Sequence, residues 1–219
     1  MDLSYRTNLI FPVPVHQFDV NGFDEIQNDL IDYAYEFKKN NPDGNVISNR
    51  GGWQSPDFSV NDEDDILHSF LINCLAGFPV IDKLINIKVD AWININKPGD
   101  FNNKHNHPQS DLAGVVWIKC PKDDCGIIVF DSPTSFQSHN EIQSYTDDFT
   151  KQNKIHHNFY FDPVEGRMLV FPAYLEHQVE INKSNEDRIS VSFNLHLSKR
   201  MPRRGRVSIP KDDINWENE

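Results

Sequence analysis

His105 and His107 stand two apart in the run His105-Asn106-His107-Pro108, and a third histidine, His177, follows seventy residues after His107. Arg188-Ile189-Ser190 comes next, with Arg188 eleven residues beyond His177. Alternate residues of a strand point to one side, so His105 and His107 can aim two imidazoles at one ion. A distant strand can bring His177 to the same ion and complete one face of an octahedron. Such a face leaves positions open for oxygen and a chelating molecule, which is the arrangement of non-haem iron chemistry. Arg188 adds a guanidinium fork, and Ser190, two along, shares its face. Together they form a bidentate seat for a carboxylate.

The second metal position stays open at this level. A third neutral imidazole leaves an iron more positive than a carboxylate would. Asp111 or Gln109 could supply an oxygen instead of His107, or only two protein ligands could serve. Geometry favours three histidines, because residues two apart share a face and a position four further on needs a turn. The remaining histidines take the plainer reading. His16, His68, His139 and His196 are isolated, and His156-His157 would point opposite ways on a strand. They read as surface or satisfied polar residues.

Elements must carry these residues, and 219 residues with 38% hydrophobic content suffice for one core. The expected organisation is a single domain, 1–219. In it, 1–83 hold an edge strand and supporting helices, 84–198 the β core, and 199–219 a basic, then acidic tail. A strand is expected over 9–15, confined to an edge by Pro12 and Pro14. A helix over 23–39 buries Ile26, Leu30, Ala34 and Phe37, and a second over 63–75 turns Ile66, Phe70, Ile72 and Cys74 or Leu75 inward. Two helices ahead of the sheet suggest a layer on its back. The polar stretch 45–61 carries Trp53 and Gln54 among glycines, either as a loop over a pocket or as a connector whose Trp caps the core.

From residue 85 the pattern is β. Residues 85–96 alternate apolar and polar for twelve positions, and further strands are expected at 105–107, 112–120, 126–130, 156–162, 167–171, 177–181 and 188–197. The span 131–153 is polar and without clear period, an insertion on the sheet rim.

Charge and cysteines narrow the classes. A net charge of -12 argues against a general nucleic-acid binder. The basic cluster Lys199, Arg200, Arg203, Arg204 and Arg206 reads as a solvated extension. Cys74, Cys120 and Cys125 are odd in number and lack zinc-ribbon spacing, so a reduced Cys120–Cys125 pair is expected. No signal-peptide pattern or bilayer-length apolar run occurs, which points to a cytoplasmic protein, or the host cytoplasm for a viral one. Oligomeric state is not readable.

Two motif sets carry a family resemblance. Gly99, five residues, His105, one residue, His107, then Asp111 resembles the first cupin motif. Gly166, five residues, Pro172 and His177 resembles the second, with Tyr174 where that motif has glycine. More specifically, the run from Trp92 to Asn194 resembles the 2-oxoglutarate/iron(II) oxygenases common in marine bacteria and their viruses, a group similar to prolyl-hydroxylase-like enzymes. The carrying residues include Ala91-Trp92-Ile93-Asn94, His105 through Val115, Gly166-Arg167, Phe171-Pro172, His177 and Arg188-Ile189-Ser190-Val191-Ser192-Phe193-Asn194. The stretch 48–55 is also similar to this group.

The resemblance implies an α+β chain with a double-stranded β-helix (jelly-roll) core, using iron(II), 2-oxoglutarate and O2. It implies His105 as first metal ligand, His177 as the distal histidine and Arg188, with Ser190, as the co-substrate anchor. Trp117 falls where relatives often place a tyrosine touching 2-oxoglutarate, and Asn94 belongs to the same pocket. The family commonly has His-x-Asp or His-x-Glu; His107 departs from that. The expected outcome is hydroxylation of a protein side chain or small metabolite, with succinate and CO2 released. Its rivals are a metal-binding cupin-like module without turnover and a cupin enzyme needing metal alone.

Overall fold

The computed structural model describes residues 11–60, 65–78 and 85–199. Among them, one antiparallel sheet has the order β1 (His16–Asp19), β10 (Arg167–Pro172), β7 (Leu112–Lys119), β12 (Arg188–Lys199), β5 (Ile85–Asn96) and β3 (Trp53–Gln54). The short β4 (Phe58–Ser59) also pairs with β5. A second antiparallel sheet runs β2 (Asn49–Arg50), β6 (Phe101–His105), β11 (His177–Val179), β8 (Ile128–Asp131) and β9 (Asn158–Phe161).

Period-two patterning sends the two faces of the larger sheet to different surroundings. Ala91, Ile93 and Ile95 of β5, Val116 and Ile118 of β7, and Ile189, Val191, Phe193 and Leu195 of β12 enter one buried cluster. The same cluster takes Leu30 and Ala34 of helix α1 (Gln27–Asn40) and Leu67, Phe70 and Leu71 of α2 (Ile66–Ala76). On the opposite face, Ala113, Val115, Trp117 and Leu169 pack with Ile128, Phe130, Phe171 and Leu175. Each fully buried aliphatic side chain contributes about 1.5–3 kcal/mol. Gly114 marks how closely the strands approach: a Cβ there would collide with the Phe193 ring and lie 2.7 Å from the Leu169 carbonyl oxygen.

Local signals explain the helices. A turn at Phe23–Glu25 leads into α1, and the Asn41 N–H closes it on the Phe37 and Lys38 carbonyls. The Asp65 carboxylate caps α2 by accepting from the Leu67 and His68 N–H groups. Ser48 of the stretch 45–61 lines the cavity described below, whereas Trp53 lies on the core side. It is buried, its Nε1 donates to the Asn41 carbonyl at 2.9 Å, and β3 adds to the sheet beside β5.

Several boundaries differ from the sequence reading. The first strand is His16–Asp19, and residues 11–15 form none, since Pro12 and Pro14 cannot donate to a ladder. It remains an edge strand; positions 9–10 lie outside the described residues. In α2 Phe70 and Leu75 are buried as expected, joined by Leu67 and Leu71, and Ile66 and Cys74 pack half-buried against the same cluster. Of the expected residues only Ile72 is exposed, being off the stripe that 67, 70/71 and 74/75 form. Residues 63–64, where that helix was expected to start, lie outside the described residues. The polar insertion holds two helices, α3 (Ser135–Ser144) and α4 (Asp147–Asn153), the latter capped by Thr146 Oγ1 on Phe149 N. Their sparse apolar residues leave no stripe to read. The basic residues Arg200, Arg203, Arg204 and Arg206 lie outside the described residues, as does the acidic tail. No helix of the described residues is long and apolar enough to cross a membrane.

Candidate metal and co-substrate site

His105 closes β6 and His177 opens β11, and the two are direct cross-strand partners. Their ring centroids are 4.4 Å apart. His107 reaches the same place by another route than a shared strand face, because β6 ends at His105. Its N–H donates to the Ala173 carbonyl at 2.8 Å in the turn after the strand, and its ring stacks on His177 at 5.2 Å and 8°. Trp92 covers its other side at 5.8 Å. One ligand atom from each histidine lies within 4.8 Å of the other two.

The rings are held as neutral donors of a lone pair. His105 Nδ1 is 2.8 Å from the Asn103 carbonyl and His177 Nδ1 2.9 Å from the Leu175 carbonyl. A carbonyl only accepts, so each Nδ1 carries the hydrogen and Nε2 keeps its lone pair. Burial lowers the proton affinity of all three, His107 to about 4 and His177 to about 3. Asn194 Oδ1, buried without a hydrogen bond of full geometry, acts on the His107 ring and raises its proton affinity in part. Neutral imidazoles with oriented outer nitrogens suit a divalent transition metal.

Asp111 and Gln109 are not in this cluster. Asp111 is exposed and its Oδ2 accepts from Leu197 N at 2.7 Å, tying down β12; Gln109 is exposed. His16 packs on Phe78, His68 stacks on Phe58, and His196 pairs with Asp90, all outside the histidine cluster.

Arg188 lies in the same cavity as the three rings, along with Asn94, Trp117 and Ser190. It is only 1% exposed, and its hydrogen bonds are one-sided: Nη1 donates to the carbonyls of Cys125, Gly126 and Glu180. Burial lowers its proton affinity, yet a guanidinium stays charged in proteins. The acidic neighbours in sequence are engaged elsewhere: Glu186 pairs with Lys119, and Asp187 accepts from Tyr35. Among the described residues Arg188 has no carboxylate partner within ion-pair distance. Asn94 Nδ2 donates to Ser192 Oγ, and its Oδ1 is buried without a protein partner.

The cavity wall includes residues not singled out from sequence. Asn96 Nδ2 reaches Asn102 Oδ1 at 3.5 Å, and Asn102 Nδ2 donates to Ser48 Oγ at 3.2 Å. Asn96 was legible in principle, since Trp92, Asn94 and Asn96 share one face of β5. Ser48 lies in the stretch read from sequence as a possible loop over a pocket, whereas Asn102 is brought in by the pairing of β2 with β6.

Residues 90–194 match the profile of the family described as "Putative 2OG-Fe(II) oxygenase". The chain is a 2-oxoglutarate- and iron(II)-dependent oxygenase. No curated protein matches this oxygenase. In fold it is similar to a Pseudomonas putida prolyl-4-hydroxylase, with 13% identity, 88% of this chain and 94% of that one covered, and a TM-score of 0.59. It is also similar to a Trichoplax adhaerens prolyl hydroxylase solved with a hypoxia inducible factor peptide fragment (10% identity, 83% of each chain, TM-score 0.55). A third likeness is to Streptomyces hygroscopicus HygX with nickel, 2-oxoglutarate and hygromycin B bound. That pair has 9% identity, coverage of 84% and 83%, and a TM-score of 0.55. The two antiparallel sheets of the oxygenase thus resemble the double-stranded β-helix of these proteins.

Proposed function

We propose that His105, His107 and His177 hold the iron(II), and that Arg188 with Ser190 seats the distal carboxylate of 2-oxoglutarate, beside Asn94 and Trp117. The observation that carries this reading is a charged guanidinium, 1% exposed, with no carboxylate of the described residues within ion-pair distance and in one cavity with three neutral imidazoles. A buried charge without a counter-charge is costly, and a bound dicarboxylate supplies one. The hydrogen bonds to Arg188 Nη1 fix the fork, leaving its Nε and Nη2 edge for a bidentate contact.

Bound iron(II) and 2-oxoglutarate supply the oxidising chemistry, one atom of O2 entering succinate and the other the substrate, with CO2 released. The chain's own residues bind, orient and exclude water. The Asn103 and Leu175 carbonyls hold two rings in the metal-binding tautomer. Trp92 covers His107, and Trp117 forms an apolar wall of the cavity. The supported outcome is hydroxylation of a protein side chain or a small metabolite. The similar folds include one solved with a peptide and one with hygromycin B, which is why both classes stand. We extend the reading to one domain whose β-helix core spans 84–198, with residues 1–83 backing it. The cytoplasm suits it, as a compartment that keeps unbonded thiols reduced.

Anaerobic titration of the iron(II)-loaded protein with 2-oxoglutarate tests the assignment. A weak visible charge-transfer band is expected with the unmodified chain, weakened by His177→Ala or Arg188→Ala. Bound iron without a band overturns the co-substrate seat and leaves a metal-only cupin site.

A further inference from the structure

Tyr174 stands where the cupin motif has glycine, and no step of the proposed reaction uses it. It is 57% exposed, in the turn between β10 and β11. The carbonyl of Ala173, the residue before it, accepts from the His107 N–H, which places Tyr174 at the metal end of the cavity. The opposite end carries Ser48, bonded to Asn102, three residues along β6 from His105. The two residues before Ser48, Val46 and Ile47, are 81% and 62% exposed. Lone exposed apolar side chains are ordinary, but this adjoining pair is held outward by a built loop. Asn49, itself buried, accepts from the Ile47 N–H at 2.8 Å and donates to the Asn45 and Gly52 carbonyls. The Ser48 carbonyl accepts from the Asn103 N–H at 2.9 Å. A Cβ on Gly52 would lie 2.6 Å from Asn96 Nδ2, so the loop is pressed on the cavity wall.

The cavity between these two rims is small and poor in charge. It offers about 50 Å³, room for a few water molecules. Beside seated 2-oxoglutarate, a substrate can therefore send in little more than its reacting group. Among the described residues lining the cavity, Arg188 is the one charged side chain beside neutral imidazoles, and the co-substrate takes it. No carboxylate among them receives an ammonium group, so the charged ends of a free amino acid find no counter-charge there. The span between the rims is also long. Asn102 to His105 is about 10 Å of strand, and Ile47 and Tyr174 extend it at either end. An extended chain of at least about three residues covers that distance.

We propose that the Val46–Ile47 pair and Tyr174 are two subsites of a peptide-binding rim. The substrate is an internal, extended peptide segment. One of its side chains enters toward the metal, and apolar side chains on the two flanks rest on Val46 with Ile47 and on Tyr174. The proposal rests on the reading of the three histidines and Arg188 as the iron and co-substrate site. The reaction is that of the oxygenase: a C–H bond of the entering side chain becomes C–OH, 2-oxoglutarate becomes succinate and CO2, and each product takes one atom of O2. The rim supplies binding rather than chemistry, so its loss falls on KM more than on kcat.

The test uses the full chain with iron(II), 2-oxoglutarate and O2. The candidate substrates are short end-blocked peptides whose central residue is varied over all amino acids, flanked by leucine and valine. A matched set is flanked by serine and glycine, and a third consists of the free amino acids. Succinate release and a mass gain of one oxygen atom report turnover. Turnover of apolar-flanked peptides is expected, with KM at least about fivefold below the polar-flanked set. Ile47→Ser and Tyr174→Gly should each raise that KM by at least about fivefold, with the loss carried by KM rather than kcat. Both variants should bind 2-oxoglutarate as the unmodified chain does, which shows that they fold. Turnover of free amino acids, equal use of polar-flanked peptides, or an unchanged KM in both variants overturns the proposal. So does a chain that binds metal and 2-oxoglutarate yet turns over none of the peptides. Metal binding without 2-oxoglutarate binding instead strikes the Arg188 assignment, before any peptide is added.

Discussion

His105 and His177 face each other as partners across β6 and β11, 4.4 Å between ring centroids, one ending its strand and the other beginning it. Each ring is braced by the carbonyl two residues before it, Asn103 and Leu175. Replacing either with alanine should reduce divalent-metal affinity by at least about 100-fold, more than the loss of a supporting contact costs. Asp111→Ala should stay within about threefold, as a change away from the site does. Calorimetric titration with manganese(II) checks both, and an Asp111 variant that loses the metal would remove the three-histidine assignment.

Arg188→Ala should keep the metal and lose the co-substrate. Truncating a buried charged contact removes about 2–4 kcal/mol of binding, or roughly 30- to 1000-fold in Kd. Arg188→Lys should recover little, since an ammonium cannot reproduce the fork. The measurement is 2-oxoglutarate binding to the manganese-loaded variants.

Acid should destabilise the metal-free protein in a defined window. Burial holds His177 down to about 3 in the fold, against about 6.5 in the unfolded chain. Below pH 6.5 the unfolded chain takes up a proton that the fold refuses, so stability falls as pH falls; above 6.5 both forms are neutral and the dependence vanishes. Between pH 6.5 and 5 this group alone costs about 2 kcal/mol. Asp19 and Asp90, held below the usual carboxylate range by Arg167 and by Lys88 against the opposing effect of burial, act at lower pH. Thermal melts should show Tm lower by about 4–8 °C at pH 5 than at pH 7. His177→Gln should reduce that slope by the share of His177 and leave the part due to His105 and His107; an unchanged slope in the variant would assign it elsewhere.

Gly114→Ala should destabilise the fold by about 1–3 kcal/mol. The added methyl meets both Phe193 and the Leu169 backbone, and the latter cannot swing away. Urea unfolding reads the loss, and pairing the change with Phe193→Leu should restore part of it by opening space on one side.

The sequence displayed the site better than the scaffold around it. Twelve alternating residues announced β5 to the residue, because one face enters an apolar core and the other a polar cavity. Arg188 and Ser190 followed from the same period on β12. His107 was placed in the right cluster for a reason that does not hold, since its position comes from a turn pinned to Ala173. The helices α3 and α4 escaped notice because surface helices with few apolar residues carry no stripe. Asn102 belongs to the cavity through the pairing of β2 with β6, a long-range event that no local pattern records, whereas Ser48 sits in the loop for which a pocket cover was one of two readings.

Strand β12 runs unbroken between β5 and β7, giving Ile189, Val191, Phe193 and Leu195 to the core and Arg188, Ser190 and Ser192 to the cavity. A one-residue slip would exchange the two sets at a stroke, placing isoleucine and valine where Arg188 and Ser190 stand and a guanidinium among aliphatic side chains. Point changes along this strand should therefore give graded phenotypes, whereas any single-residue insertion or deletion within it should abolish folding and co-substrate recognition together.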